Sequence, residues 1–205
     1  MQIDIREIPV FYINLDKDIE KRKKLEKSLK ANGFINIIRL PGFEASVRKN
    51  GCAAAHHNAM KCLANYPGPF LVLEDDAALM PNFSPIINVP ENADAVYLGV
   101  SASGLYNNVG KNKIDAKRHD ENFYRIYNML AAHAILYLNS NYVKFLEKEI
   151  LKQVIAKDRQ DKARARTLRL WNVYSLDVPA FFQDSYNRLA TTAPISEHKG
   201  VVGHE

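Results

Sequence analysis

The sequence predicts an α/β fold: an open, mostly parallel twisted sheet with helices on both faces. Three observations carry that prediction. Short apolar runs alternate with amphipathic segments through about residue 100, the order expected when crossover helices join the strands of a sheet. The runs Val10-Phe11-Tyr12-Ile13-Asn14-Leu15 and Phe70-Leu71-Val72-Leu73 are nearly continuous in apolar and aromatic residues, as in strands covered on both faces. The chain has 205 residues, 47% hydrophobic and 25% charged, which suits one domain over residues 1–205 with a full core.

Val10–Leu15 is the first strand. Asp16 is placed to cap a helix running to about Asn32, and Gly33 to stop it. Ile35–Ile38 is a second short strand, so a βαβ unit with a right-handed crossover is expected. A polar connection, Gly42–Gly51, leads into an Ala-rich helix from about Cys52 to Tyr66, which Pro67-Gly68-Pro69 ends. Phe70–Leu73 is a buried strand running straight into Glu74-Asp75-Asp76. A loop marked by Pro81, Pro85 and Pro90 precedes a fourth strand, Ala95–Val100. Residues 101–121 are rich in Ser, Gly, Asn and Lys and read as a long loop, of the kind that serves as a lid. Tyr124–Asn128 and Ala132–Leu138 read as strands, Ser140–Val154 as an amphipathic helix, and Arg188–Thr192 as a last strand before Pro194.

The formal charge of +5 and pI near 9.1 favour anionic ligands such as phosphates but are too weak to imply nucleic acid. No run approaches the roughly 18 apolar residues of a membrane span. Residues 1–8 carry two acids and no apolar stretch, so they do not read as a secretory signal. Cys52 and Cys62 would lie roughly 15 Å apart along one helix, beyond the ~7 Å that a disulfide bridges. Free thiols fit a reducing compartment, and a cytoplasmic setting is expected. Lys157–Arg169 holds six Lys/Arg against two Asp. It reads first as a solvated helix or loop, and second as a surface for acidic partners, the membrane surface included. No aromatic residue interleaves the run to stack on bases.

In an open α/β sheet, ligands gather outside the carboxyl ends of the strands. The Phe70–Leu73 strand delivers three acids there. Such close like charges repel unless something neutralises them, and a hard divalent cation does so with one or two carboxylates plus substrate phosphates. Alternate positions point the same way, so Glu74 and Asp76 would face one ion and Asp75 would face elsewhere. The bland alternative is a solvated acidic turn. Arg22 shares a helical stripe with Ile19, Leu25 and Leu29, where it either meets a phosphate or snorkels. Periodicity does not choose between His56 and His57, since either can share a face with Met60, and a histidine on a helix is as readily structural.

The segments FYINLDKDIEKR (11–22), GCAAAHHNAM (51–60) and LVLEDDA (71–77), in this order and spacing, resemble glycosyltransferase family 25, the bacterial lipopolysaccharide and collagen-type galactosyltransferases. The resemblance covers about residues 8–80 and, more faintly, AAHAILYLN (131–139) and SLDVPAFF (175–182). It implies a GT-A-like fold, a UDP-sugar donor, a glycan acceptor, Mn²⁺ or Mg²⁺, and inversion at the anomeric carbon. Carried over residue by residue, Ile13, Asn14 and Leu15 would border the nucleoside, Arg22 would face the diphosphate, and His56 would sit in the donor site. Glu74, Asp75 and Asp76 would be the metal motif. Ala55 stands where the family usually has serine and His133 where it commonly has tyrosine, departures that bear on sugar specificity. Asp177 matches an aspartate of the family's C-terminal half and is expected as the catalytic base, with Asp75 behind it. GT-A enzymes commonly take another metal ligand from a late segment. His198 fits that role, and His204 fits less well because terminal residues fray. The expected activity is hexosyl transfer. A non-catalytic nucleotide-sugar or glycan-binding domain is the alternative, and a Mg²⁺-dependent phosphotransferase using Asp16 is a remoter one.

Overall fold

The structure is a computed structural model that describes residues 1–105, 113–184, 191–198 and 201–202. Its first half comprises β1 (Gln2–Asp4), β2 (Val10–Asn14), α1 (Ile19–Ala31), β3 (Ile37–Pro41), α2 (Arg48–Leu63), β4 (Phe70–Glu74), β5 (Ala77–Leu79), β6 (Ile86–Asn88) and β7 (Ala95–Tyr97). Then follow β8 (Asp115–Arg118), β9 (Phe123–Asn128), β10 (Ala134–Tyr137), α3 (Ser140–Ile155), α4 (Gln160–Thr167), β11 (Val173–Leu176), β12 (Phe181–Gln183) and β13 (Val201–Val202).

The main sheet has the strand order β13-β8-β9-β11-β7-β10-β4-β2-β3. Neighbours β3–β2, β2–β4, β7–β11 and β8–β13 are parallel. Those involving β10 with β4 and β7, and β9 with β11 and β8, are antiparallel. Among the described strands of this sheet, β9 and β10 therefore run against the other seven, and by strand direction the sheet is mostly parallel, as expected.

Alternation along the strands explains how both faces are covered. Phe11, Ile13, Phe70 and Val72 pack on one face with Ala55, Ala59 and Met60 of α2 and Val143 and Leu146 of α3. Val10, Tyr12, Leu71 and Leu73 pack on the other with Leu25 and Leu29 of α1. That second face is completed by two small two-stranded sheets, β1–β6 and β5–β12. Full burial of each such aliphatic side chain stabilises by about 1.5–3 kcal/mol, so the apolar runs are needed along their whole length.

Several boundaries move. α1 starts after Asp18 rather than Asp16: the Asp18 N–H closes a turn on the Leu15 carbonyl at 3.0 Å, and the Asp16 carboxylate pairs with Arg39. Gly33 does end the helix region, at φ +85°, with the Phe34 N–H donating to the Leu29 carbonyl at 3.1 Å. α2 begins at Arg48 rather than near Cys52. The expected loop 101–121 contains β8, a strand of the main sheet, and its residues 106–112 lie outside the described residues. Of the expected last strand, 188–190 also lie outside, and Thr191 and Thr192 are helical. β11, which the sequence reading missed, sits between β7 and β9.

The basic run 157–169 is not an open charged face. Arg164 is fully buried, Arg159 pairs with Asp161, and Lys162 with Asp158. Arg169 pairs with Asp115, and Arg166 donates to Gln153. Lys157, Arg159, Arg166 and Arg169 nonetheless remain exposed. No helix among the described residues is long and apolar enough to cross a membrane.

Candidate active site

β2 and β4 are parallel neighbours, with Ile13 opposite Glu74, so their carboxyl ends open side by side. Strand parity then sorts the acids. Glu74 follows Phe70 and Val72 to the α2 face, where its Oε1 accepts from His56 Nε2 at 2.9 Å. Its Oε2 accepts from Gln183 Nε2 at 3.3 Å. Asp75 follows Leu71 and Leu73 to the α1 face, where it accepts from Asn14 Nδ2 at 2.9 Å and faces Lys21 Nζ at 3.6 Å. Asn14 is itself held by Arg39, whose Nε donates to Asn14 Oδ1 at 3.1 Å.

These surroundings set the charge states. Desolvation acts to raise the Glu74 carboxyl, but the hydrogen bond from His56 and the positive field of Arg164 outweigh it and hold it below the usual glutamate range. Desolvation raises Asp75 despite its bond from Asn14. Burial lowers His56, which favours the neutral ring. Its proton can be assigned from its neighbours. Arg164 Nη2 lies 3.4 Å from His56 Nδ1, and a guanidinium has only donors to offer. Nδ1 must therefore accept, and the single ring proton sits on Nε2, directed at Glu74.

Two crevices meet at these acids. The first, about 410 Å³, lies between the ends of β2 and β4, the start of α2 and the chain around Phe43. Ile13, Asn14, Leu15, Lys17, Lys21 and Phe43 line it. The second, about 670 Å³, is lined by Lys49, Ser101, Ser103, Arg159, Asp161 and Gln183 among others. Arg48, Cys52, Glu74 and Asp76 border both. Glu74 and Asp76 are thus the carboxylates on the shared border, or partition.

No protein-family model and no curated protein matches this sequence. Among solved structures, the chain aligns with a glycosyltransferase involved in the glycosylation of the major capsid of PBCV-1. That alignment has 12% identity and a TM-score of 0.46, over 88% of this chain and 95% of the other. It also aligns with the nucleoside-diphosphate-sugar pyrophosphorylase from Vibrio cholerae RC9, at 11% identity and a TM-score of 0.45, over 83% of this chain and 73% of the other.

Of the residues singled out in the sequence, the structure brings Ile13, Asn14, Leu15, His56, Glu74, Asp75 and Asp76 to one crevice. Arg22 is not among its lining residues. It pairs with Glu26 at 3.1 Å, beside the Tyr12 hydroxyl, and is about half exposed. The helix begins at Ile19, which is itself exposed, and its buried stripe is Leu25 and Leu29. Arg22 therefore lies near the exposed start of α1, before the buried part of its stripe, and Lys17, Lys21 and Arg48 supply the crevice's cations. Asp177 lines a separate groove with Met80, Phe83 and Asn122, which shares no lining residue with either crevice. Its Oδ1 accepts from the Ser196 N–H at 3.0 Å. His198 follows on that same pinned turn and lines neither crevice. His204 lies outside the described residues. His133 is buried against Gly99, where a Cβ would come within 2.0 Å of its Nε2.

Glu74, Asp75 and Asp76 do not converge on one point. Among the described residues, the cluster with ligand atoms within 4.8 Å of one another is Cys52, His56 and Glu74. Both cysteines are free thiols. Desolvation within the crevice, then the fields of Glu74 and Asp161, push the Cys52 thiol up to about 12. The donors that Glu74 and Asp76 bring to the shared border are oxygens, the ligand type that hard cations such as Mn²⁺ or Mg²⁺ take.

The shape of the first crevice depends on Gly51. A Cβ there would lie 2.2 Å from the Phe43 carbonyl oxygen, so helix and loop would have to part. Gly51→Ala is expected to destabilise by about 1–3 kcal/mol, lowering Tm by roughly 2–12 °C in a thermal melt. An unchanged Tm would show that the Phe43 loop moves freely over α2.

Proposed function

We propose that this protein is an inverting, metal-dependent glycosyltransferase of the family 25 type, moving a hexose from a UDP-sugar to a glycan hydroxyl. One observation carries the reading: two crevices, each lined by charged side chains, meet at Glu74 and Asp76 on the carboxyl edge of parallel strands. A donor in the first crevice would present its anomeric carbon at Glu74 and Asp76, with an acceptor in the second on the opposite side. That layout suits a single displacement.

In the first crevice, Ile13, Asn14 and Leu15 border the nucleoside, and Phe43, 45% exposed, offers an apolar ring to the base. Lys17, Lys21 and Arg48 place positive charge around the diphosphate. Glu74 and Asp76 would hold a divalent cation, whose chemistry there is Lewis-acid stabilisation of the departing diphosphate. His56 keeps Glu74 aimed by donating to Oε1, and Gln183 fixes Oε2. In the second crevice, Asp161 is the carboxylate outside the strand motif, and we assign it the acceptor's proton. Asp75, on the donor side, orients Asn14.

A thermal-shift panel of UDP-, GDP- and ADP-sugars with and without Mn²⁺ tests the reading, because a ligand that binds the native state raises Tm by mass action. A Tm rise with a UDP-sugar that needs Mn²⁺ is expected; a flat panel rules the reading out. Phe43→Ala should weaken UDP binding by about 1–3 kcal/mol, as lost base stacking does, or roughly 5- to 150-fold in Kd by calorimetry. An unchanged Kd would move the base elsewhere in the crevice.

A further inference from the structure

Cys52 and His56 lie one turn apart on α2, on the same side of the helix, and with Glu74 they bring three ligand atoms within 4.8 Å of one another. A thiol, an imidazole and a carboxylate at that spacing are the donors of a zinc-type site. Such a site needs a lone pair on the ring nitrogen that faces the cluster. The nitrogen that faces it is Nε2, 2.9 Å from Glu74. A ring ligating through Nε2 would carry its proton on Nδ1, pointing that N–H at the donors of Arg164 Nη2, 3.4 Å away.

Arg164 has little freedom to yield. It is fully buried, its Nε and Nη2 donate to the Tyr137 hydroxyl at 3.4 and 3.2 Å, and its Nη1 donates to Gln160. It forms no ion pair among the described residues, so the His56 ring links its charge to the Glu74 carboxylate.

We infer that Arg164 is a positioning residue: it locks His56 as the Nε2–H donor to Glu74, which keeps Glu74 aimed as an oxygen ligand and closes the Cys52–His56–Glu74 triad to thiophilic ions. The inference rests on the proposed function only for the role of Glu74 as a ligand to a hard cation. The tautomer and the closed triad are properties of the chain itself.

Two measurements on the full chain test it. Long-range ¹H–¹⁵N correlation of the labelled wild type at neutral pH should show His56 as the Nε2–H tautomer. The Nδ1–H tautomer or an imidazolium would overturn the inference, with no variant needed. Titration with Co²⁺ should give no thiolate-to-cobalt charge-transfer band in the wild type. Arg164→Met, similar in length but without donors, should gain that band, and adding Cys52→Ala should remove it again. A band in the wild type, or none in an Arg164→Met protein that is folded by circular dichroism, would refute it. Should Arg164→Met not fold, the wrong tautomer or a cobalt band in the wild type still overturns the inference. A wrong tautomer beside an intact Mn²⁺-dependent shift with a UDP-sugar defeats this inference only, whereas a flat sugar panel with the expected tautomer defeats only the transferase reading.

Discussion

Asp76→Ala is expected to abolish sugar transfer while leaving the protein folded. Asp76 borders both crevices and lies just past the end of β4, so removing its carboxylate opens no hole in either core cluster. Glu74 is a less clean target, because both of its oxygens accept hydrogen bonds and its loss would leave His56 and Gln183 without their acceptor. Lewis-acid stabilisation contributes several kcal/mol, so a fall in rate on the order of 10³-fold or more follows. Transfer assays with and without chelator, beside a thermal melt, check it. Undiminished turnover in the variant, with chelator inert, would sink the metal role.

The second large effect concerns the acceptor's proton. Asp161→Asn should lower the transfer rate by roughly 10²–10⁴-fold, the usual contribution of a general base, with donor affinity close to wild type. Its ion-pair partner Arg159 is more than half exposed, so losing the pair costs little stability. Asp177→Asn is the matched comparison. Asp177 faces a different groove and its carboxylate serves the turn at Ser196, so that variant should keep its rate and lose some Tm. If Asp177→Asn instead collapses the rate and Asp161→Asn does not, the base is Asp177, as the family resemblance implies.

The N-terminal half was legible in the sequence because its signals are local. The runs at Val10 and Phe70 are buried on both faces and therefore nearly continuous in apolar and aromatic residues, and Pro67-Gly68-Pro69 bars α2 from continuing into β4. Strand parity alone separates Glu74 from Asp75. The C-terminal half was not legible for an equally physical reason. β11 is four residues long, contains Ser175 and follows a basic stretch, and its strand character comes from β7 and β9 on either side. Arg164 looked like one more cation in a charged run. Its neighbours Ala163, Ala165 and Leu168 hinted at burial, but a fully buried guanidinium becomes visible only with Tyr137, Gln160 and His56 in place around it. Arg22 misled in the opposite sense: it keeps the helical phase of Leu25 and Leu29 but lies near the exposed start of α1, where it pairs with Glu26.

The order in which the ribosome makes these groups has a consequence for when activity can begin. Glu74 and His56 emerge early, and β2, β3 and β4 can pair with nothing beyond residue 74. Yet the arginine that orients His56 lies 108 residues after it, and the glutamine that holds Glu74 lies 109 residues after that carboxylate. Contacts so distant in sequence form slowly and late. A nascent chain therefore carries its acidic motif long before it can aim it, and a competent site arises only as the segment from Gln160 to Gln183 folds back onto His56 and Glu74.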